Sequence, residues 1–194
     1  MTNKNDQLYI NKVINGDVNA FAYLVDNYKS MVFSLAFKMT KSKEEAEEIS
    51  QDTFIKAFKN LNKFKGDSKF STWLYRIAYH TSLDAIKKNK NNANTFDINE
   101  VTFNQIQAVE HILEGIERKE RAKVMDACLH KLPDEERSII WMFYYDELSL
   151  KEIIEVTGLS EANLKVKLHR ARKKLLTIVK ENVEPEMIEN YGRK

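Results

Sequence analysis

The stretch from Ser160 to Lys174 carries six basic side chains, Lys165, Lys167, Arg170, Arg172, Lys173 and Lys174, against a single acid, Glu161. It opens on a helix-capping residue, Ser160, and follows Thr157-Gly158-Leu159, while Ser149-Leu150-Lys151-Glu152 upstream has the form of a capping box. Two capped helices joined by a short turn, with Gly158 able to take the left-handed cap, make a helix-turn-helix pattern. Ile153, Val156, Leu159, Leu164, Leu168 and Ala171 are expected to pack the two helices together. Glu161, Asn163, Lys165, Lys167 and Arg170 then face outward on the half that enters a DNA major groove. Asn suits an adenine edge, Arg and Lys suit guanine or phosphate, and Glu can accept from cytosine.

A second cluster interleaves Phe64, Phe70, Trp73, Tyr75 and Tyr79 with Lys63, Lys65, Lys69 and Arg76. Rings that stack on unpaired bases and cations that follow phosphates suit single-stranded DNA. Aromatics at helical spacing also serve as core, and Phe70 and Trp73 fit either role. Phe64, in a Gly-containing loop between Lys63 and Lys65, is the ring expected to be exposed.

Catalytic chemistry finds no comparable pattern. The four histidines, at 80, 111, 130 and 169, are scattered, and neither a phosphate-cradling Gly loop, metal-ligand spacing nor a nucleophile-and-base arrangement accompanies them. The chain is therefore read as no enzyme, with no catalytic residues, no metal and no cofactor. Cys128 is the only cysteine and can form no internal disulfide, so it is expected to be a small buried helical residue.

The elements that must position these residues follow from composition and periodicity. With 5 Gly and 2 Pro in 194 residues, the chain is too poor in turn formers for a sheet-rich fold, and a mainly helical one is expected. Apolar residues recur at helical steps from Phe21 to Met39, with Asp17 as N-cap. Ser42-Lys43-Glu44-Glu45 opens a second helix whose apolar positions, Ala46, Ile49, Phe54, Ala57, Phe58 and Leu61, run towards Asn62. After the loop containing Gly66, Ser71 or Ser68 is expected to cap a third helix from Thr72 to about Lys88. Asn89 to Asn104 is Asn-rich and without periodicity, and reads as a flexible linker. Beyond it, a helix is expected over Arg118 to Lys131, Pro133 at a first-turn position starts another through Tyr144, and the helix-turn-helix completes a second small domain ending near Val179. The expected architecture is all-α, two small helical domains joined by a flexible linker, the C-terminal one a helix-turn-helix. The boundaries are 1–90, an acidic linker over 91–117, 118–181, and a tail over 182–194.

The net charge of +2 hides a sorting of charges along the chain. Lys43 to Asp52 holds five acids and one Lys, Lys63 to Lys90 holds seven Lys or Arg and two acids, and Asn91 to Glu117 holds five acids and no Lys or Arg. Two basic segments separated by an acidic one suit a protein that holds nucleic acid at two places. Neither a secretory leader nor a membrane-spanning stretch is read, so no membrane insertion is expected and the cytoplasm is the expected compartment.

The run Glu45-Ala46-Glu47-Glu48-Ile49-Ser50-Gln51-Asp52-Thr53-Phe54, followed by Phe64-Lys65-Gly66-Asp67-Ser68-Lys69-Phe70-Ser71-Thr72-Trp73-Leu74-Tyr75-Arg76-Ile77-Ala78, closely resembles region two of the extracytoplasmic-function sigma factors, a branch of the sigma-70 family of bacterial RNA polymerase subunits. Leu132-Pro133-Asp134-Glu135-Glu136-Arg137, Leu148-Ser149-Leu150-Lys151-Glu152-Ile153 and Leu168-His169-Arg170-Ala171-Arg172-Lys173-Lys174-Leu175 resemble region four in the same order. The resemblance implies a transcription initiation factor that joins core RNA polymerase, selects promoter DNA at two elements and helps melt one of them. It implies a polymerase-binding face of Glu48, Gln51, Asp52, Ile55 and Lys59. It implies minus-ten contacts from Lys63, Phe64, Lys65, Lys69, Arg76, His80, Lys87 and Lys88, and minus-thirty-five contacts from Ser160, Glu161, Asn163, Lys165, Lys167 and Arg170. This chain carries His80 and Lys167 where family members often have Asn and Arg. An anti-sigma factor is a further implied partner. The competing reading is a stand-alone helix-turn-helix regulator that binds duplex DNA without polymerase.

Overall fold

The computed structural model describes residues 3–89 and 118–182, and every regular element among them is helical. The chain divides into two compact units, the first holding the helices up to residue 89 together with Ile154–Gly158, the second the remaining described residues. The acidic linker expected over 91–117 and the tail beyond Asn182 lie outside the described residues.

The first unit begins with a helix that periodicity did not indicate, α1 (Lys4–Ile14). Its buried positions are Ile10 and, unusually, Asp6, whereas its apolar Leu8 and Ile14 are half exposed. Polar and aromatic contacts hold the helix beside buried Ile10: the Tyr28 hydroxyl donates to Asp6 at 2.7 Å, and Tyr9 stacks on Tyr23 at 3.8 Å. Asp17 caps as expected, accepting from the Ala20 amide at 3.3 Å, but what it caps is one 3-10 turn, Val18–Ala20, that runs directly into α2 (Phe21–Thr40). Lys41 closes α2 in the left-handed conformation, and Ser42 opens α3 (Lys43–Lys59) by accepting from the Glu45 amide at 3.2 Å. A second 3-10 turn, Leu61–Lys63, leads to the loop before α4 (Phe70–Asn89).

Helices α2, α3 and α4 pack on one another. Ala36, Ala46 and Ile49 form a tight cluster at which small residues let α2 and α3 approach closely. The buried hydroxyls Thr53 and Ser82 donate to carbonyls one turn back in their own helices, so burial leaves neither unsatisfied. Phe58, expected in the core, is 39% exposed and makes an edge-on contact with Phe21 at 5.1 Å. The helical repeat carries it to the rim of the face that Ala46, Ile49, Thr53 and Ala57 bury.

The second unit holds α5 (Arg118–His130), α6 (Asp134–Tyr144) and α8 (Glu161–Asn182), and the next helix, α7 (Leu150–Thr157), starts in it but is grouped with the first unit from Ile154 on. Pro133 occupies the N-cap of α6, one position earlier than expected. Buried Arg137 donates to Asp134 at 2.7 Å and the Ser138 hydroxyl to the Asp134 carbonyl at 2.6 Å, which fixes the first turn of α6. Ile139, Ile140 and Met142 of α6, Cys128 and Leu129 of α5, and Leu168, Ala171 and Leu175 of α8 are buried. Cys128 takes the structural place expected of it.

Candidate nucleic-acid interface

Glu48, Gln51, Asp52, Ile55 and Lys59 are all exposed, at helical steps along one side of α3, and Ile55 leaves 51% of its surface in solvent. An open apolar groove of about 610 Å³ lies beside Ile55 and Lys59, lined also by Val18, Phe21, Val25, Phe54 and Phe58. The groove was not legible in advance, because Phe54 and Phe58 have the spacing of core residues.

Between α3 and α4 the chain reverses at Gly66, whose φ of 77° favours glycine. A Cβ built there would lie 3.7 Å from the Gln7 side-chain oxygen, so α1 borders this loop. Lys63, Lys65 and Lys69 are exposed on it, and Arg76, His80, Lys87 and Lys88 are exposed along α4. Phe64 is not the exposed ring expected of it. It is only 9% exposed, with its ring centroid 5.6 Å from Phe70 and 5.4 Å from Trp73. Burying that ring removes apolar surface from water, a stronger preference than exposure between two cations. Phe70 in turn meets Tyr28 at 5.4 Å, so the loop is tied to α2 through a chain of rings. Phe70 also draws the start of α4 two residues earlier than the expected Thr72, and the first turn closes through the Trp73 amide and the Lys69 carbonyl at 3.1 Å. Tyr75 and Tyr79 are buried as well. Within this stretch Phe64, Phe70, Tyr75 and Tyr79 build the core, Trp73 is partly buried, and the lysines and Arg76 form the surface.

The capping box upstream of α7 forms in full: the Glu152 amide donates to Ser149 Oγ at 3.3 Å, and the Ser149 amide donates to the Glu152 carboxylate at 3.0 Å. Gly158, with φ of 74°, ends α7 in the left-handed conformation, and its amide donates to the Ile154 carbonyl at 2.8 Å. Ser160 then caps α8 by accepting from the Asn163 amide at 3.3 Å. Ser160, Glu161, Asn163, Lys165 and Arg170 are exposed. Glu161 pairs with Lys165 at 2.7 Å, and that hydrogen bond and charge hold its carboxyl below the usual range.

Lys167 departs from expectation. It is only partly exposed and pairs with Glu135 of α6 at 2.8 Å, because the helical repeat turns it from the outer face towards the acidic first turn of α6. Lys174 likewise pairs with Glu136 at 2.8 Å, and the Arg172 guanidinium lies 5.5 and 5.4 Å from the ring centres of Phe143 and Tyr144. Half of the six-cation run thus contacts α6. Val166, missed in the sequence, is 48% exposed and stands three residues from Asn163 and four from Arg170. Its signal was an apolar side chain out of phase with Leu164 and Leu168.

Residues 24–92 match the family model for Sigma-70 region 2, and residues 122–175 that for Sigma-70, region 4. The chain is 36% identical over 172 residues to the ECF RNA polymerase sigma factor SigW of Bacillus subtilis, covering 86% of this chain and 92% of that protein. It is 30% identical over 179 residues to the RNA polymerase sigma-H factor of Pseudomonas aeruginosa, covering 89% and 92%. Among solved structures, CnrH in complex with the cytosolic domain of CnrY is similar with a TM-score of 0.65 at 23% identity, covering 92% of this chain and 99% of that one. The sigma factor RpoE of Bartonella quintana, solved with the anti-sigma factor NepR, is similar with a TM-score of 0.60 at 17% identity, covering 84% and 98%. With both sigma regions in order on an all-helical fold, and this identity over most of its length, the chain belongs to the extracytoplasmic-function sigma factors of the sigma-70 family, the transcription initiation factors that bind core RNA polymerase and promoter DNA.

Proposed function

We propose that this sigma factor divides its work among three surfaces. The exposed stripe of Glu48, Gln51, Asp52, Ile55 and Lys59 on α3 docks on core polymerase. The cations Lys63, Lys65, Lys69, Arg76, Lys87 and Lys88, with exposed His80 among them, follow the opened minus-ten strand, and Phe64 serves that surface from beneath as the packed ring that holds the loop. Ser160, Glu161, Asn163, Lys165 and Arg170 read the minus-thirty-five element, with exposed Val166 placed to meet a thymine methyl.

The observation that carries this reading is the separation of exposure within residues 63–88: Phe64, Phe70, Tyr75 and Tyr79 are buried and Trp73 is partly buried, while the lysines and Arg76 remain in solvent. Opening each base step costs about 1.4 kcal/mol of stacking. A subunit without catalytic machinery must offset that cost by binding, and a row of exposed cations on a braced loop supplies phosphate contacts. The protein acts in the cytoplasm, where promoter DNA and polymerase meet, and among the described residues no helix is long and apolar enough to cross a membrane. An anti-sigma factor that covers the α3 face holds it inactive, a partner supported by the similar RpoE of Bartonella quintana, which was solved with the anti-sigma factor NepR.

The test is transcription of sheared genomic DNA by core polymerase with and without the purified protein, with RNA 5′ ends mapped. Starts that depend on the protein and share two sequence elements at fixed spacing are expected. Binding to DNA with no binding to polymerase would overturn the reading in favour of a stand-alone regulator.

A further inference from the structure

Two ion pairs join α6 to α8, and they differ in burial. Lys174 and Glu136 retain 19% and 14% of their side-chain exposure, whereas Lys167 and Glu135 retain 34% and 44% at the same 2.8 Å separation. A mostly buried pair is costly to break because either partner would be left desolvated and alone. A half-exposed pair is weak and screened, and a phosphate can replace its carboxylate without stranding a charge. The first pair is a fixed clamp between the helices, and the second is exchangeable. Glu135 sits in the first turn of α6, where its neighbours Asp134 and Arg137 are bonded to each other at 2.7 Å.

We propose that Glu135 is a positioning residue that withholds Lys167 from the DNA backbone, so that α8 approaches nonspecific DNA without that cation. This inference rests on the reading of α8 as the minus-thirty-five helix. A phosphate at one register displaces the Glu135 carboxylate and recruits Lys167; elsewhere on DNA the lysine stays with Glu135. The device raises discrimination by lowering sequence-independent affinity, to which every free lysine near the backbone contributes.

The test is equilibrium binding of the reconstituted holoenzyme, across a series of salt concentrations, to a promoter duplex mapped by the transcription experiment and to one with a scrambled minus-thirty-five element. Proteins compared are wild type, Glu135→Gln, Lys167→Ala, the double variant and Arg170→Ala. Glu135→Gln is expected to steepen the log affinity against log salt slope on scrambled DNA by about 0.9, the value for one added phosphate contact, and to tighten that binding several-fold at low salt. Lys167→Ala is expected to leave the scrambled-DNA slope at the wild-type value, and the double variant to return to it. An unchanged slope in Glu135→Gln overturns the proposal. So does steepening that persists in the double variant, since that would be plain repulsion between Glu135 and DNA. Arg170→Ala separates the two failures. If it weakens promoter binding while Glu135→Gln changes nothing, only this inference falls; if it has no effect on either duplex, the assignment of α8 to DNA falls with it.

Discussion

The Tyr28–Asp6 pair shows how one residue contact can organise a unit. Burial, together with the hydrogen bond to Asp6 and the negative charge there, pushes the Tyr28 hydroxyl well above its ordinary range. An unfolded tyrosine ionises near pH 10, so above about pH 10 the folded chain keeps a proton that the unfolded chain loses, and stability must fall as pH rises. Denaturant titrations from pH 7 to 11 are expected to show that decline. Tyr28→Phe is expected to make it shallower, and to lower stability at neutral pH because buried Asp6 loses a donor. Cys128 obeys the same physics, since burial pushes its thiol up against the small opposing effect of Lys131. At 1% exposure it is expected to resist maleimide at pH 7 and to react within minutes once denaturant is added. Fast labelling of the native protein would show that α5 opens readily.

Local sequence and observed structure agree best at the element scale where a cap is involved. Ser42, Ser149 and Ser160 each accept the amide three residues on, because a capping contact is confined to one turn. Ser149→Ala should cost about 1 kcal/mol, read by chemical denaturation, and an unchanged midpoint would mean that α7 does not depend on its box. The loop before α4 shows the opposite behaviour. Nothing near Phe64 in sequence reveals that Phe70, Trp73 and, through Phe70, Tyr28 will enclose it. Phe64→Ala is expected to cost about 3 kcal/mol as a large-to-small core change. It should reduce promoter opening and thermal stability together; lost opening with no change in stability would restore the ring to the DNA surface.

At the scale of the molecule, the surface proposed for polymerase and those proposed for DNA lie on different helices, with the acids concentrated on α3 and the exposed lysines and arginines on the loop after it, α4 and α8. Asp52→Lys reverses charge on exposed α3 surface without touching the core, so it is expected to weaken binding to core polymerase about tenfold and leave the unfolding midpoint unchanged. Retained affinity would remove α3 from that interface.

Sequence alone sufficed for the helical class, most helix starts and the turn at Gly158, since caps, left-handed glycines and helical periodicity act over a few residues, and the two sigma regions were legible through the resemblance of their motifs to the family. Only tertiary structure decided which charged and aromatic residues remain available to a partner. The Lys167–Glu135 contact spans 32 positions and the Tyr28–Asp6 contact 22. No local pattern encodes such pairs, which exist only once helices pack and bring distant side chains within reach. For the same reason α1, held by a buried carboxylate and a ring stack, left no apolar stripe by which to be read, and Phe64 and Phe58 exchanged the exposed and buried places that their neighbours in sequence suggested.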